Sequence, residues 1–263
     1  MRPIHNVIAT AAKHTSAFLS EAVFPHQCVS CGKTLCLSGS SDGAGEGSNE
    51  YICRQCALRM PVFPSVCFLC GRPTFQYRTC ARCAQKTPLE RVIIATDFTD
   101  DAVRAAMVAF KYKMVRSLHT VFARQMAERL IAVREAESSA RNKHIIISFV
   151  PLNAFKLRWR GYNQSALLAR NIAESQKLPL ASDLLARKFS LMSQMRIRER
   201  TVREQRMRHA FFPGNAVLPP DTDLVILVDD VLTTGSTLAA AASVLRRTYR
   251  SVRIWGLVAT KKP

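Results

Sequence analysis

From about residue 91 the chain alternates short apolar runs with stretches whose apolar residues recur every three or four positions. Val92 to Phe98, His144 to Val150, Leu224 to Val228 and Val252 to Ala259 have the length and β-branched content of buried strands. Between the first two, Ala102, Val103, Ala106, Met107 and Phe110 mark a helix, with an N-cap offered by Thr99, Asp100 and Asp101. Leu118, Val121, Phe122, Met126, Leu130 and Ile131 mark a second helix over about Ser117 to Arg134, and all six are expected to face inward. Further helices are predicted over about Ser165 to Gln176 and about Leu238 to Arg247. This alternation predicts an α/β body. Ahead of it, Val7, Ile8, Ala11, Ala12, Phe18, Leu19, Ala22 and Val23 lie at helical spacing, and Pro25 stops the pattern. The polar face of that helix has too few Lys and Arg for an anionic bilayer, so it is expected to dock on the protein itself.

Eight of the nine cysteines break the pattern between these regions as four C-x-x-C pairs: Cys28 and Cys31, Cys53 and Cys56, Cys67 and Cys70, Cys80 and Cys83. Gly32 and Gly71 follow two of the pairs. A C-x-x-C-G turn presents two thiolates whose sulfurs accept from turn amides, and two such turns complete a tetrahedral shell. Four pairs therefore imply two structural zinc ions. Sequential pairing is the simplest scheme, and an interleaved one stays open. Cys36 has no partner at this spacing and reads as a free thiol. Ser38 to Asn49, rich in Ser and Gly, reads as a flexible insertion. Ribbons of this kind either dock and stabilise a neighbouring domain or bind nucleic acid.

The candidate chemistry lies at the end of the Leu224 to Val228 run. Asp229 and Asp230 follow it, then Thr233-Thr234-Gly235-Ser236-Thr237, then the alanine-rich helix. Loop amides and the positive end of a helix dipole suit a phosphate, Gly235 permits close backbone approach, and twin carboxylates suit two ribose hydroxyls. A second candidate, Lys156-Leu157-Arg158-Trp159-Arg160-Gly161-Tyr162-Asn163-Gln164, is read as a loop just past the His144 to Val150 strand. Ligands of open α/β sheets bind at such strand ends. Residues 187 to 208 are rich in arginine, including Arg196, Arg198, Arg200 and Arg203. That run, with Lys111 and Lys113 after the first helix of the body, is the candidate contact for a nucleic-acid backbone.

Charge sharpens the picture. Lys plus Arg number 38 against 19 Asp plus Glu, a net of +19, which favours polyanionic partners without choosing among them. No run of eighteen apolar residues predicts a transmembrane helix. Lys13, His14 and Glu21 interrupt what would be the apolar centre of a signal peptide. Paired cysteines at metal spacing agree with a reducing, cytoplasmic setting.

The thirteen residues from Val225 to Thr237 fit the phosphoribosyl-pyrophosphate (PRPP) pattern of type I phosphoribosyltransferases. The order of parts over nearly the whole chain resembles the ComF family: cysteine pairs, F-K-Y at Phe110 to Tyr112, V-P-L at Val150 to Leu152, R-x-R-G-Y-N-Q at Arg158 to Gln164, an arginine-rich stretch, then V-D-D-V-x-T-T-G. That resemblance implies a type I phosphoribosyltransferase-like parallel sheet flanked by helices, preceded by a double zinc ribbon. The expected division is a helix over 1–25, ribbons over 26–88 and a phosphoribosyltransferase-like domain over 89–263. The resemblance implies that Asp229 and Asp230 hold ribose and that Thr233, Thr234, Gly235, Ser236 and Thr237 hold its 5′-phosphate. It assigns Val150, Pro151, Arg158 and Arg160 to the pyrophosphate side, with magnesium arriving with PRPP. It implies a place in competence and DNA uptake, with single-stranded DNA and uptake-machinery proteins as partners. The alternative is an active phosphoribosyltransferase passing phosphoribose from PRPP to a nitrogen acceptor.

Overall fold

The computed structural model describes residues 26–35, 49–137, 144–188 and 210–263. The expected N-terminal helix, Cys36, most of the Ser/Gly insertion and the Arg196–Arg203 cluster lie outside the described residues.

Four parallel strands form the central sheet: β3 (Arg91–Asp97), β4 (Ile145–Phe149), β7 (Leu224–Leu232) and β8 (Arg253–Lys261). Their spatial order is β3-β8-β7-β4. The apolar centres of these strands are buried, as their unbroken apolar runs require, and the half-buried residues lie toward the strand ends. Helices flank the sheet: α3 (Asp101–Tyr112), α4 (His119–Ala136), α5 (Ala154–Arg160), α6 (Gln164–Gln176) and α7 (Ser236–Thr248). The helix α3 starts where Asp100 Oδ1 accepts from the amides of Ala102 and Val103 at 2.9 and 3.0 Å. On α4 the apolar stripe turns inward as expected except at Ile131, which is exposed. An antiparallel pair, β5 (Leu185–Arg187) with β6 (Phe211–Pro213), packs against α7 and was not expected from the sequence.

Three boundaries differ from expectation, each with consequences for the site. β7 does not stop at Val228 but runs through both acids to Leu232, because β8 continues beside it and pairs Val258 with Asp229 and Thr260 with Val231. The helix α7 begins at Ser236, two residues early, capped by Gly235 at φ 78°. The segment from Ala154 to Arg160 is a helix rather than a loop. Its N-cap Asn153 accepts from Phe155 N at 2.9 Å, and Gly161 at φ 70° ends it.

The cysteine-rich segment is built of β1 (His26–Gln27) paired with β2 (Thr34–Leu35), and two short helices, α1 (Arg54–Leu58) and α2 (Ala81–Ala84). It covers the free edge of β3: Val62 bridges Thr96 and Arg78 bridges Arg91. That placement blocks an edge open to stray strand pairing. Beneath it, the fully buried Arg91 pairs with Glu137 and lies 4.2 Å from the centre of the Trp255 ring.

Candidate phosphate and metal sites

The acidic pair is buttressed from several elements. Ser165 Oγ, at the start of α6, donates to Asp229 Oδ1 at 2.9 Å. The amide of Asp230 donates to that same oxygen at 2.9 Å. Lys111, in the last turn of α3, pairs with Asp230 Oδ2 at 2.9 Å, both side chains being 15% exposed or less. Lys111 thus stands in the acidic site, not on the open surface expected of a nucleic-acid contact, while Lys113 is exposed. Burial, and then the neighbouring Asp230 charge, push the Asp229 carboxyl up to about 6.

Past the acids, Thr233 and Thr234 are exposed and Gly235 turns the chain into α7. Thr234 Oγ1 donates to Ser236 Oγ at 3.0 Å and accepts from the Ser236 amide at 3.4 Å. The amide of Ala239 reaches back to Gly235 O at 2.9 Å, so the amides of the preceding first turn have no intrahelical carbonyl to meet. A hydroxyl-lined helix N-terminus therefore follows the two carboxylates at the carboxyl end of one strand.

The expected pyrophosphate residues separate. Val150 N donates to Val228 O at 2.9 Å, and Asn163 Nδ2 donates to Val150 O at 3.2 Å, which fixes Val150 and Pro151 beside β7. Arg160 is buried, donates to Gln164 Oε1 at 3.3 Å and lies 5.4 Å from the centre of the Tyr112 ring. Arg158 is exposed. Residues two apart on a helix cannot share a face, whereas residues four apart do. Lys156, exposed like Arg158 but four residues before Arg160, therefore shares its face. Its ammonium pKa is lowered, first by partial desolvation and then by Arg160, Arg187 and Lys111, with Asp230 opposing. Arg187 also approaches: its Nη1 makes a long contact to Pro151 O at 3.5 Å, and its charge is felt by Asp229. Burial is the larger influence on that guanidinium and lowers its pKa.

Sequence reasoning overlooked Ser165 and Arg187 as site residues, and it left Lys156 among the cations of its second candidate segment without preferring it to Arg158. The N-cap pattern Asn163-Gln164-Ser165 was an available signal for Ser165, and the i, i+4 spacing of Lys156 and Arg160 for that preference. Nothing local marks Arg187, which arrives by the β5–β6 pairing. Also overlooked was a surface beside the site: Tyr112 and Trp159 are 56% and 57% exposed with ring centres 6.0 Å apart.

The eight paired cysteines form two clusters in sequential order, Cys28, Cys31, Cys53 and Cys56, then Cys67, Cys70, Cys80 and Cys83, with all sulfurs of a cluster within 4.8 Å of one another. Tetrahedral zinc with bonds of about 2.3 Å places its sulfurs about 3.8 Å apart. The observed separations of 3.9 Å for Cys31–Cys53 and 3.7 Å for Cys70–Cys80 match that shell. Burial raises the Cys67 thiol, but the amides of Cys80, Cys70 and Leu69 outweigh it and bring it down to about 6. Burial likewise raises Cys28, and the amides of Cys31, Cys53 and Ser30 bring it down to about 7. Each cluster can hold one zinc ion.

The chain is 28% identical over 218 residues to the DNA utilization protein YhgH of Salmonella typhi, covering 81% of this chain and 92% of the relative. It is 26% identical over 238 residues to competence protein F of Haemophilus influenzae, covering 89% and 97%. The competence protein ComFC of Bacillus subtilis is 22% identical over 204 residues, covering 75% and 78%. These relatives, similar over most of the chain, support the ComF resemblance. No protein-family model matches it. Among solved structures, TT1426 from Thermus thermophilus is similar at 14% identity over 53% of this chain and 82% of that one, with a TM-score of 0.26, too low to bear on the fold. Among the described residues, no helix is long and apolar enough to cross a membrane.

Proposed function

We propose that the chain binds PRPP, or a related phosphorylated ribose, at the carboxyl end of β7 and handles single-stranded DNA beside that site. One observation carries the first half: two carboxylates and a hydroxyl-lined helix N-terminus meet on one strand-loop-helix, ringed by Lys111, Lys156 and Arg187. In this reading Asp229 and Asp230 accept from the ribose hydroxyls. Thr233, Thr234, Ser236 and Thr237 donate to the 5′-phosphate, and Gly235 lets the backbone close on it. Val150, Pro151, Lys156 and Arg160 line the pyrophosphate side, and magnesium enters with the ligand. The cysteine clusters hold zinc in closed shells, a structural use.

Support for a nucleic-acid strand comes from the exposed Tyr112 and Trp159 rings with exposed Lys113, Arg116 and Arg158 around them. Aromatic faces stack bases without regard to sequence, and cations follow the backbone. Arg196, Arg198, Arg200 and Arg203 extend the basic character of the chain. The relatives' names, DNA utilization and competence, agree with such a task.

A second reading, transfer of phosphoribose from PRPP to a nitrogen acceptor, is favoured by the cations near the acids, which would stabilise departing pyrophosphate. Calorimetry tests the first reading. Magnesium–PRPP should bind the wild-type chain and fail to bind Asp229→Asn/Asp230→Asn. Single-stranded oligonucleotide should bind both, with log affinity falling steeply with log salt, and should weaken in Trp159→Ala. Equal PRPP binding by wild type and double variant sinks the sugar-phosphate site; salt-independent or absent oligonucleotide binding sinks the strand. Pyrophosphate release with an acceptor from a panel of nitrogen bases would favour the second reading.

A further inference from the structure

The phosphate loop is not held by the sheet alone. A Cβ placed on Gly235 would meet Phe68 Cε2 at 2.7 Å and Cδ2 at 2.9 Å. Phe68 stands between Cys67 and Cys70 and is 3% exposed. The ring thus lies flush against the left-handed glycine that turns β7 into α7. The turn that carries it is closed on either side: Gly71 N donates to Cys67 O at 2.8 Å and Cys67 N to Arg72 O at 2.8 Å. The ribbon in turn is tied to β3 by Phe63 N on Ala95 O at 3.3 Å and to Glu90 by Thr79 N at 2.8 Å.

We propose that the second four-cysteine centre is a positioning device for the phosphate loop: Phe68, held between two of its thiolates, sets the backbone of Gly235 and so the affinity for a phosphorylated sugar. The consequence for ligand affinity rests on the sugar-phosphate reading above; the mechanical contact does not. Zinc bound at Cys67, Cys70, Cys80 and Cys83 fixes the turn carrying the ring. When the metal is removed, the ring and then Gly235 gain freedom. The first centre has Val29 at the corresponding place, and Val29 N donates to Tyr51 O at 2.8 Å within its own ribbon. Emptying it should leave the loop unchanged.

The test is a double-mutant cycle on the full chain, with zinc content measured for every variant. Phe68→Leu should keep two zinc ions yet speed amide exchange at residues 235–238 about tenfold and weaken magnesium–PRPP by about tenfold, since small misplacements of binding groups are costly. Gln125→Ala, which loosens the first ribbon from α4, should change neither. The thermal destabilisation caused by Gly235→Ala should be smaller in the Phe68→Leu background, because the clash is with the ring. Additive effects of the two substitutions, or unchanged exchange at 235–238 in Phe68→Leu, overturn the proposal. So does unchanged PRPP affinity in Phe68→Leu when the wild type binds. If the wild type does not bind PRPP, the sugar-phosphate reading falls, and exchange with the thermal cycle alone decides whether Phe68 positions the loop.

Discussion

The two cysteine centres have nearly the same local chemistry and quite different neighbours. Each uses a C-x-x-C-G turn whose glycine sits at φ 72°, and each contains one thiol pulled below its ordinary range by backbone amides. The first docks on the start and side of α4: Asn49 Nδ2 donates to Ser117 O at 2.8 Å and Gln125 Nε2 to Ala57 O at 3.0 Å. A cavity of about 150 Å³ lies at that junction, lined by Ala57, Met60, Val121 and Gln125 among others. The second docks on the edge of β3 and sends Phe68 against the Thr233–Thr237 loop with no space for even a methyl group on Gly235. Two like cysteine clusters thus meet different surfaces, and the residue after the first cysteine of the turn, Val29 in one and Phe68 in the other, differs with them.

The most damaging way to probe that contrast is to empty the centres one at a time. Cys67→Ser/Cys70→Ser should abolish detectable magnesium–PRPP binding and lower stability by several kcal/mol, since metal binding free energy is folding free energy. Cys28→Ser/Cys31→Ser should also destabilise but keep PRPP binding in the fraction that stays folded, checked by circular dichroism and calorimetry on the same samples. If both pairs behave alike, the contrast collapses.

A smaller effect is expected at the loop. Gly235→Ala forces a side chain into the left-handed region, at about 1–2 kcal/mol, and also into the Phe68 ring. Chemical denaturation measures that cost.

Lys111→Met should cost about 2 kcal/mol, between the values for exposed and buried pairs. It also has a pH signature. Lys111 lowers the Asp229 carboxyl against the upward influences of burial and Asp230, so its loss moves that group above about 6. In the wild type Asp229 is ionised at pH 7 and gains a proton as pH falls through about 6. PRPP affinity should therefore decline below pH 6, and in Lys111→Met the decline should begin at higher pH, read by calorimetry at several pH values.

The smallest effect belongs to the first ribbon. Gln125→Ala removes one hydrogen bond to Ala57 O, worth about 1 kcal/mol, and should leave exchange at residues 235–238 untouched.

Much of this arrangement could be read from the chain. Long apolar runs bounded by polar residues left little choice for β3, β4, β7 and β8, and the cysteine spacing alone pointed to two metal centres. The N-cap of α3 was visible at Asp100. What escaped was decided by tertiary contact or by a short signal. The helix α5 spans only seven residues between Asn153 and Gly161, too few for an apolar period to stand out among its charges. The strands β5 and β6 hold three residues each, too few to show a period. Phe68 reads as one more apolar residue between cysteines, and only the fold brings it to Gly235, more than a hundred and sixty residues away.

The central claim is that a sugar phosphate is held by the first turn of α7 beside Asp229 and Asp230. Backbone amide resonances followed during a titration with magnesium–PRPP test it most directly. Saturable shifts centred on Gly235, Ser236 and Thr237, lost in Asp229→Asn/Asp230→Asn, are the predicted result. Binding that leaves those three amides unmoved would contradict it.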